Sequence, residues 1–261
     1  MPFPYQSRTS AIMTPPRILA IILLLACGFV LRAAEQPEQV ETLFIDEARL
    51  REIPAVIYPG AAGKDTTKLA VISGGYGMPP TAYGFIARKL VDMGYLVVSV
   101  QHQLTTDAPL ATAGDLQVLR RPVWERGVVN LRYVLTTLKR DYPKIVPSRT
   151  ILIGHSNGGD ISALFATLYP IEVAAVITLD HRRMPIPRAR QPRFMSLRAD
   201  EFPADPGILP NPEEAKTLGI SIIQLKNAKH GELNDEGSKE LKERVISFIF
   251  GFLDELTPVT N

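Results

Sequence analysis

A serine between glycines is the residue of this chain best suited to nucleophilic chemistry. Three β-favouring apolar residues, Ile151–Ile153, lead into the pattern GHSNG at Gly154–Gly158, and the residues after it have helical spacing. A sharp strand-to-helix turn holds such a serine in a strained conformation, and small neighbours leave room for both elements. The helix N-terminus adds N–H groups and a positive dipole end. The pattern predicts Ser156 as a nucleophile; an N-capping serine in an ordinary glycine turn is the alternative.

The turn and its surroundings resemble the α/β-hydrolase superfamily, of the compact esterase and dienelactone-hydrolase-like kind. A buried strand precedes the motif, a helix follows it, and the motif lies past the middle of the chain. The resemblance covers nearly all of the chain after its N-terminal segment. It implies the α/β-hydrolase fold, with a serine, an acid and a histidine in that order along the chain.

The resemblance selects one of the four histidines as the general base. His230 lies in the loop QLKNAKHGELND after the last apolar strand, where the family keeps its base. His181 follows the strand after the serine turn and is the reserve candidate. His102 precedes the serine, and His155 lies inside the turn with its side chain expected to point away from Ser156. We therefore expect His230 to take the serine proton.

The acid that orients the base is expected on the loop after the strand Arg193–Leu197. Three carboxylates of that loop qualify, namely Asp200, Glu201 and Asp205. The family spacing favours Glu201, whereas aspartate is the commoner acid in this role. The sequence leaves all three open.

Two backbone N–H groups should hold the oxyanion that forms during acyl transfer. The resemblance implies Asn157, the residue after the nucleophile, as one donor. The second donor should come from the glycine-rich loop after an early strand, at Gly75 or Tyr76. That loop resembles the His-Gly-Gly type of the family, with Ser73 in the place of the usual histidine. An ordinary glycine turn is the alternative.

Short apolar strands alternate with amphipathic helices after Pro37, which predicts an α/β fold with a mostly parallel, doubly wound sheet. One domain over residues 38–258 is expected. The predicted strands are Val40–Asp46, Pro54–Tyr58, Lys68–Ser73, Tyr95–Val100, Thr150–Ile153, Val173–Leu179, Arg193–Leu197 and Ile220–Leu225. The predicted helices are Tyr83–Met93, Val123–Leu138, Asp160–Tyr169 and Ser238–Leu256.

The connection that follows the predicted strand Val173–Leu179 is too short for a large lid. Only HRRMPIPRARQP separates the strand that ends near Asp180 from the strand that begins at Arg193. The sequence therefore predicts an open cleft. The arginines of this segment either attract an anionic substrate or belong to a solvated proline-rich loop.

The N-terminal residues 1–34 have the features of a signal peptide. Arg17 precedes the apolar run Ile18–Leu31, which is too short to span a bilayer, and Ala33 and Ala34 follow. We expect a secreted or periplasmic protein with no stable membrane span after cleavage. The segment before Cys27 also resembles a lipoprotein signal, and an uncleaved anchor is the third possibility.

The charge balance gives no reason to expect a nucleic-acid partner. The chain has 29 basic and 27 acidic residues, and Arg8, Arg17 and Arg32 lie in the predicted signal peptide, which has no acids. Removing those three leaves 26 basic residues against 27 acidic ones, whereas nucleic-acid binding needs a basic face. No metal-ligand spacing, phosphate loop or dinucleotide fingerprint occurs, so neither a cofactor nor a metal is predicted.

These features predict a secreted serine hydrolase that cleaves a carboxylic-ester bond of a small molecule through an acyl-enzyme intermediate. A peptidase or amidase would use the same residues on an amide substrate. A binding protein with this fold but without catalysis is the alternative from outside enzymology, and it predicts that no acid reaches His230.

Overall fold

The structure, a computed structural model, describes Met1 and residues 39–256. Apart from Met1, the predicted signal peptide at residues 1–34 and its Cys27 lie outside the described residues. Among residues 39–256, no helix has both the length and the apolar character needed to cross a membrane.

Eight strands form one sheet in the order β1-β2-β4-β3-β5-β6-β7-β8. The strands are β1 Val40–Asp46, β2 Arg51–Tyr58, β3 Leu69–Ser73, β4 Leu96–Val100, β5 Thr150–His155, β6 Ala175–Leu179, β7 Arg193–Arg198 and β8 Ser221–Gln224. The β1–β2 and β2–β4 pairs are antiparallel, and the other five pairs of neighbours are parallel. The predicted mostly parallel sheet is confirmed.

Five α-helices accompany the sheet within the described residues. They are α1 Gly84–Asp92, α2 Leu116–Asp141, α3 Asn157–Leu168, α4 Pro212–Leu218 and α5 Lys239–Asp254. Leu69 and Val71 of β3 pack in the cluster that includes α2 and α3 residues, whereas Ala70 and Ile72 pack with α1 and α5. Because both faces are covered, the central strands are continuous apolar runs.

Two helices differ from the sequence-based expectation. Helix α2 begins at Leu116 rather than Val123, because the Asp115 carboxylate accepts the N–H groups of the first turn and Pro122 lies inside the helix. Helix α4 was not predicted. Its signal was present, since Asn211 and Glu214 form a capping box around a proline in the first turn.

The carboxyl ends of the parallel strands meet at one edge of the sheet. Strand β5 continues to His155, and α3 begins immediately after Ser156. The connection from β6 to β7, residues 180–192, contains no helix or strand, which confirms the predicted absence of a large lid. The turn with Ser156 and the loops after β6, β7 and β8 therefore lie together at an open edge.

Candidate active site

The turn at Ser156 has the strained backbone that the sequence predicted. Ser156 has φ 52° and ψ −119°, a conformation that costs about 1–3 kcal/mol. Its N–H donates to the Leu179 carbonyl at 2.9 Å, which ties the turn to β6. A Cβ at Gly154 would overlap the Gly158 carbonyl, and one at Gly158 would overlap the Ser73 carbonyl. The two glycines are therefore a steric requirement of this turn.

His230 is the histidine that reaches the serine. It begins a short 3-10 turn, His230–Glu232, after β8, and its Nε2 lies 2.9 Å from the Ser156 Oγ. The reserve candidate His181 is instead buried, with its Nε2 donating to the Met184 carbonyl at 3.1 Å. Burial lowers the pKa of His181 to about 3. The structure thus brings His230, and not His181, to Ser156.

The carboxylate that contacts the ring of His230 is Asp180, which was not among the acids expected from the sequence. Asp180 follows β6 directly, and its Oδ2 lies 2.6 Å from the Nδ1 of His230. Its backbone has φ 51°, and its N–H donates to the Leu197 carbonyl of β7 at 2.8 Å. This turn directs the carboxylate along the sheet edge towards His230. The expected position of the acid after β7 is therefore corrected to the position after β6.

The three carboxylates expected at the base lie elsewhere. Asp200 accepts a hydrogen bond at 2.6 Å from the side-chain amide at the end of β8. Glu201 accepts the backbone N–H of His230 at 2.7 Å and so contacts the main chain rather than the ring. Asp205 lies 3.8 Å from the Nε of Arg183. All three loop acids have partners, but none contacts the imidazole of His230.

Asp180 is fully buried, and its partners keep it ionised. The Arg198 Nη2 lies 3.0 Å from its Oδ1, and the backbone N–H of Ala199 donates to the same oxygen at 3.1 Å. Burial by itself would raise the pKa of Asp180. The hydrogen bond with His230 and the charge of Arg198 outweigh burial and lower the pKa below its usual range.

The ionised state of Asp180 determines where the proton of His230 lies. A carboxylate only accepts hydrogen bonds, so the Nδ1 of His230 must carry the hydrogen that lies between the two groups. The Nε2 of a neutral ring then has a free lone pair and accepts the hydroxyl of Ser156. The arrangement can therefore remove a proton from the serine oxygen.

A second hydrogen-bond chain connects the glycine-rich loop with the main chain of His230. The Nε2 of His155 donates to the His230 carbonyl at 3.0 Å, because a carbonyl only accepts. Burial lowers the pKa of His155 to about 4, so its Nδ1 is unprotonated and accepts the Tyr83 hydroxyl at 2.9 Å. The same hydroxyl oxygen accepts the N–H of Gly75 at 2.9 Å. The His155 side chain thus points away from Ser156, as expected, and contacts the main-chain carbonyl of His230.

This second hydrogen-bond chain distinguishes Gly75 from Tyr76, the two expected oxyanion donors of the glycine-rich loop. The N–H of Gly75 is used by Tyr83, whereas the N–H of Tyr76 donates to no other described residue. The N–H of Asn157 likewise has no acceptor among the described residues, and its side-chain Oδ1 accepts the indole N–H of Trp124 at 3.0 Å. Tyr76 and Asn157 remain the candidate oxyanion donors.

Residues 39–256 contain no group of three or more His, Cys, Asp or Glu side chains that could hold a metal ion. His102 is buried, and its Nε2 lies 3.0 Å from the Oγ of Ser73. Burial lowers the pKa of His102 to about 3.

Solved structures with this fold include esterases. Esterase 2 from Thermogutta terrifontis, phosphoramylated by tabun, superposes with a TM-score of 0.63 at 13% identity, over 87% of this chain and 98% of that one. The propionate-bound form of the same protein also has a TM-score of 0.63, at 13% identity over 87% and 97%. A ferulic acid esterase from Streptomyces cinnamoneus has a TM-score of 0.58 at 16% identity, over 83% and 88%. The chain has the α/β-hydrolase fold.

The sequence matches no protein-family model, and it has no significant match among curated proteins.

Proposed function

We propose that this protein is a serine hydrolase that cleaves carboxylic esters of small molecules. The observation that carries the proposal is the continuous hydrogen-bond chain from Ser156 through His230 to Asp180. A hydroxyl, an imidazole and a buried carboxylate in this order can activate an oxygen nucleophile at neutral pH.

In the first half of the reaction, Ser156 becomes acylated. Its Oγ attacks the ester carbonyl carbon while its proton moves to the Nε2 of His230. The carbonyl oxygen becomes an oxyanion, which the N–H groups of Asn157 and Tyr76 stabilise. The bond to the alcohol oxygen then breaks, and the alcohol leaves with the proton from His230. Asp180 stabilises the imidazolium in between and keeps the ring oriented.

In the second half, water releases the acyl group. His230 takes a proton from a water molecule, whose oxygen attacks the acyl carbon of the ester formed on Ser156. When the resulting tetrahedral intermediate collapses, the Ser156 oxygen leaves and regains its proton from His230. The carboxylic acid is the second product, and the side chains return to their starting protonation states.

The buried carboxylate also counts against a binding protein without catalysis. That alternative predicts that no acid reaches His230, whereas Asp180 lies 2.6 Å from its ring. An ionised Asp180 without solvent exposure is costly to maintain, and Arg198 and the Ala199 N–H offset that cost. Esterases among proteins of the same fold support the choice of an ester over an amide.

Hydrolysis of 4-nitrophenyl acetate and of 4-nitroacetanilide tests the proposal. The wild type should hydrolyse the ester much faster than the amide, and Ser156→Ala should lower kcat by about 10⁶-fold. Ser247→Ala is the matched control, because Ser247 is exposed on α5 away from the sheet edge. Ester turnover that survives Ser156→Ala, or a folded wild type that hydrolyses neither compound, would reject the proposal.

We also propose that the protein is exported and that residues 1–34 are removed. The support is the sequence of that segment alone, in which Arg17 precedes a short apolar run and Ala33 follows it. The intact mass of the full chain expressed in a Gram-negative host should show a new N-terminus near Ala33 in the periplasmic fraction. A lipid-modified Cys27 at the N-terminus, or a chain that keeps the segment, would reject cleavage at this position.

A further inference from the structure

An arginine and an exposed phenylalanine flank the base at the open edge. The Phe202 ring is 46% exposed and meets the His230 ring edge-on at 6.2 Å between centroids. The Arg182 guanidinium lies 4.6 Å from the centre of the Phe202 ring. Arg182 comes two residues after Asp180, and the charges of the two side chains interact.

A second arginine, Arg120, lies close enough to Arg182 and Arg183 for their charges to interact. The Nε of Arg120 donates to the Ala111 carbonyl at 2.8 Å, on the segment that precedes α2. The neighbouring N–H of Leu110 donates to the hydroxyl of Tyr76, the candidate oxyanion donor, at 3.1 Å. Burial first, and then the like charges of Arg183 and Arg182, lower the pKa of Arg120, as expected for closely spaced cations.

Arg120, Arg182 and Arg183 form a rim of positive charge at this edge. Their charge is only partly balanced within the protein. Among the described residues, no carboxylate lies within 4.0 Å of the Arg120 or Arg182 guanidinium, and Arg183 has only Asp205, at 3.8 Å. Asp160 is the nearby buried acid, and its Oδ1 accepts the backbone N–H groups of Arg183 and Met184, both at 2.9 Å. Burial raises the pKa of Asp160 to about 6, so Asp160 keeps most of its negative charge at neutral pH and loses it as the pH falls through that value.

We propose that Arg182 and Arg120 bind an anionic group of the ester substrate, with Phe202 packing against its apolar or planar part. The proposal rests on the proposed function and specifies its substrate class: small esters that carry a carboxylate or a similar oxyanion near the scissile bond. A guanidinium presents a planar fork of donors that matches a carboxylate. A bound anion also relieves the repulsion between neighbouring arginines, and the absence of a large lid leaves the rim open to solvent.

Two pairs of esters place the charge on either side of the scissile bond. The first pair is 4-nitrophenyl hydrogen adipate and its neutral methyl ester, with the charge on the acyl side. The second is 4-acetoxybenzoate and neutral 4-acetoxybenzamide, with the charge on the leaving group. After correction for hydroxide-catalysed rates, the wild type should prefer the anionic member of at least one pair by about tenfold in kcat/KM.

Variants then show whether the rim arginines cause that preference. Arg182→Gln and Arg120→Gln should each remove most of it, chiefly through KM, and leave the neutral esters within about twofold, because neither residue contacts Ser156 or His230. Arg190→Gln is the matched control, since Arg190 is exposed on the same segment. Raising the ionic strength from about 0.02 M to about 0.5 M should reduce the preference in the wild type.

The outcomes separate this inference from the proposed function. Turnover of the neutral esters without any preference for either anion would overturn the anion site and leave the serine hydrolase intact. Equal losses on charged and neutral esters in Arg182→Gln would also overturn it, since they indicate a structural role. An unchanged preference in both glutamine variants would place the charge selectivity elsewhere and overturn the assignment to this rim.

Discussion

The loops after β6 and β7 leave neighbouring strands at the same edge of the sheet, and both carry acids, but they support the base in different ways. The β6 loop contributes one buried carboxylate, Asp180, to the ring of His230. The β7 loop contributes Glu201 to the backbone N–H of His230, and Asp200 to the backbone N–H of Asn227 in the preceding turn. One loop therefore orients the imidazole, and the other holds the main chain that carries it.

The burial of the two sets of acids follows the same division. Asp180 has no exposed surface and is paired with Arg198, whereas Asp200 and Glu201 are exposed. A charge in a buried site interacts strongly with a neighbouring imidazolium, while a charge in contact with water is screened. We therefore expect the chemical role to belong to the acid that the protein removes from water.

The largest effect should come from the acid of the β6 loop. Asp180→Asn keeps the shape of the side chain but removes its charge and favours the wrong tautomer of His230, so kcat/KM should fall by about 10⁴-fold. Asp205→Asn, in the β7 loop, should remain within about twofold. Steady-state hydrolysis of a neutral 4-nitrophenyl ester compares them, and comparable losses in the two variants would contradict the assignment of Asp180.

Removing the charge of Arg198, which pairs with Asp180, should lower both the activity and the stability of the fold at acid pH. Arg198→Met leaves a buried carboxylate with one partner fewer, so the free energy of unfolding should fall by about 3 kcal/mol at neutral pH. Activity should fall about 100-fold, because the carboxylate is less firmly ionised and oriented. Urea unfolding and initial rates measure the two quantities.

The pH dependence of that variant follows from the direction of the Asp180 pKa shift. A carboxyl whose folded pKa is lowered contributes stability above its unfolded pKa, and this stability is lost as the pH falls through the folded pKa. Arg198 is one cause of the lowered pKa, so Arg198→Met should begin to unfold at a higher pH than the wild type. Coincident acid-unfolding curves would show that Arg198 does not stabilise the ionised form.

Breaking the hydrogen-bond chain that runs from Gly75 through Tyr83 and His155 to the His230 carbonyl should have an intermediate effect on activity. Tyr83→Phe leaves the Gly75 N–H and the His155 Nδ1 without their partner, which should cost about 1–3 kcal/mol in stability. The released glycine-rich loop should lower kcat about tenfold with little change in KM, because the oxyanion forms only during the reaction. A loss confined to KM would indicate that Tyr83 shapes substrate binding instead.

The smallest effect should come from the acid that contacts only the main chain. Glu201→Gln retains an oxygen that can accept the His230 N–H, so kcat/KM should fall about threefold or less. Glu201→Ala removes that acceptor and should have the larger effect of the two. A loss near that of Asp180→Asn would show that the β7 loop acts on the ring after all.

The sequence predicts the parts of this site that depend on local patterns. The glycines around Ser156 impose the turn through sterics that act within a few residues, and the structure has that turn. His230 lies where the last strand gives way to a loop, which is also visible in the chain. The mostly parallel sheet follows from the alternation of strands and helices, together with the resemblance to the α/β-hydrolase fold.

The identity of the acid that contacts His230 depends on the register between β6 and β7, which no local sequence pattern encodes. Leu179 of β6 pairs with Leu197 of β7, so the residues that follow them, Asp180 and Arg198, lie level and form an ion pair. In the sequence they are widely separated. The available signal was weak: Asp180 directly follows a fully buried strand, whereas the spacing that the family resemblance implied favoured Glu201 after β7.

The rate of covalent labelling by a fluorophosphonate, followed by mass spectrometry of the adduct, tests the Ser156–His230–Asp180 chain most directly. The wild type should form one adduct on Ser156, Asp180→Asn should form it at least about 100-fold more slowly, and a variant combining Asp200→Asn, Glu201→Gln and Asp205→Asn should stay within about tenfold of the wild-type rate. Labelling that Asp180→Asn leaves unchanged, or an adduct on another residue, would contradict this arrangement.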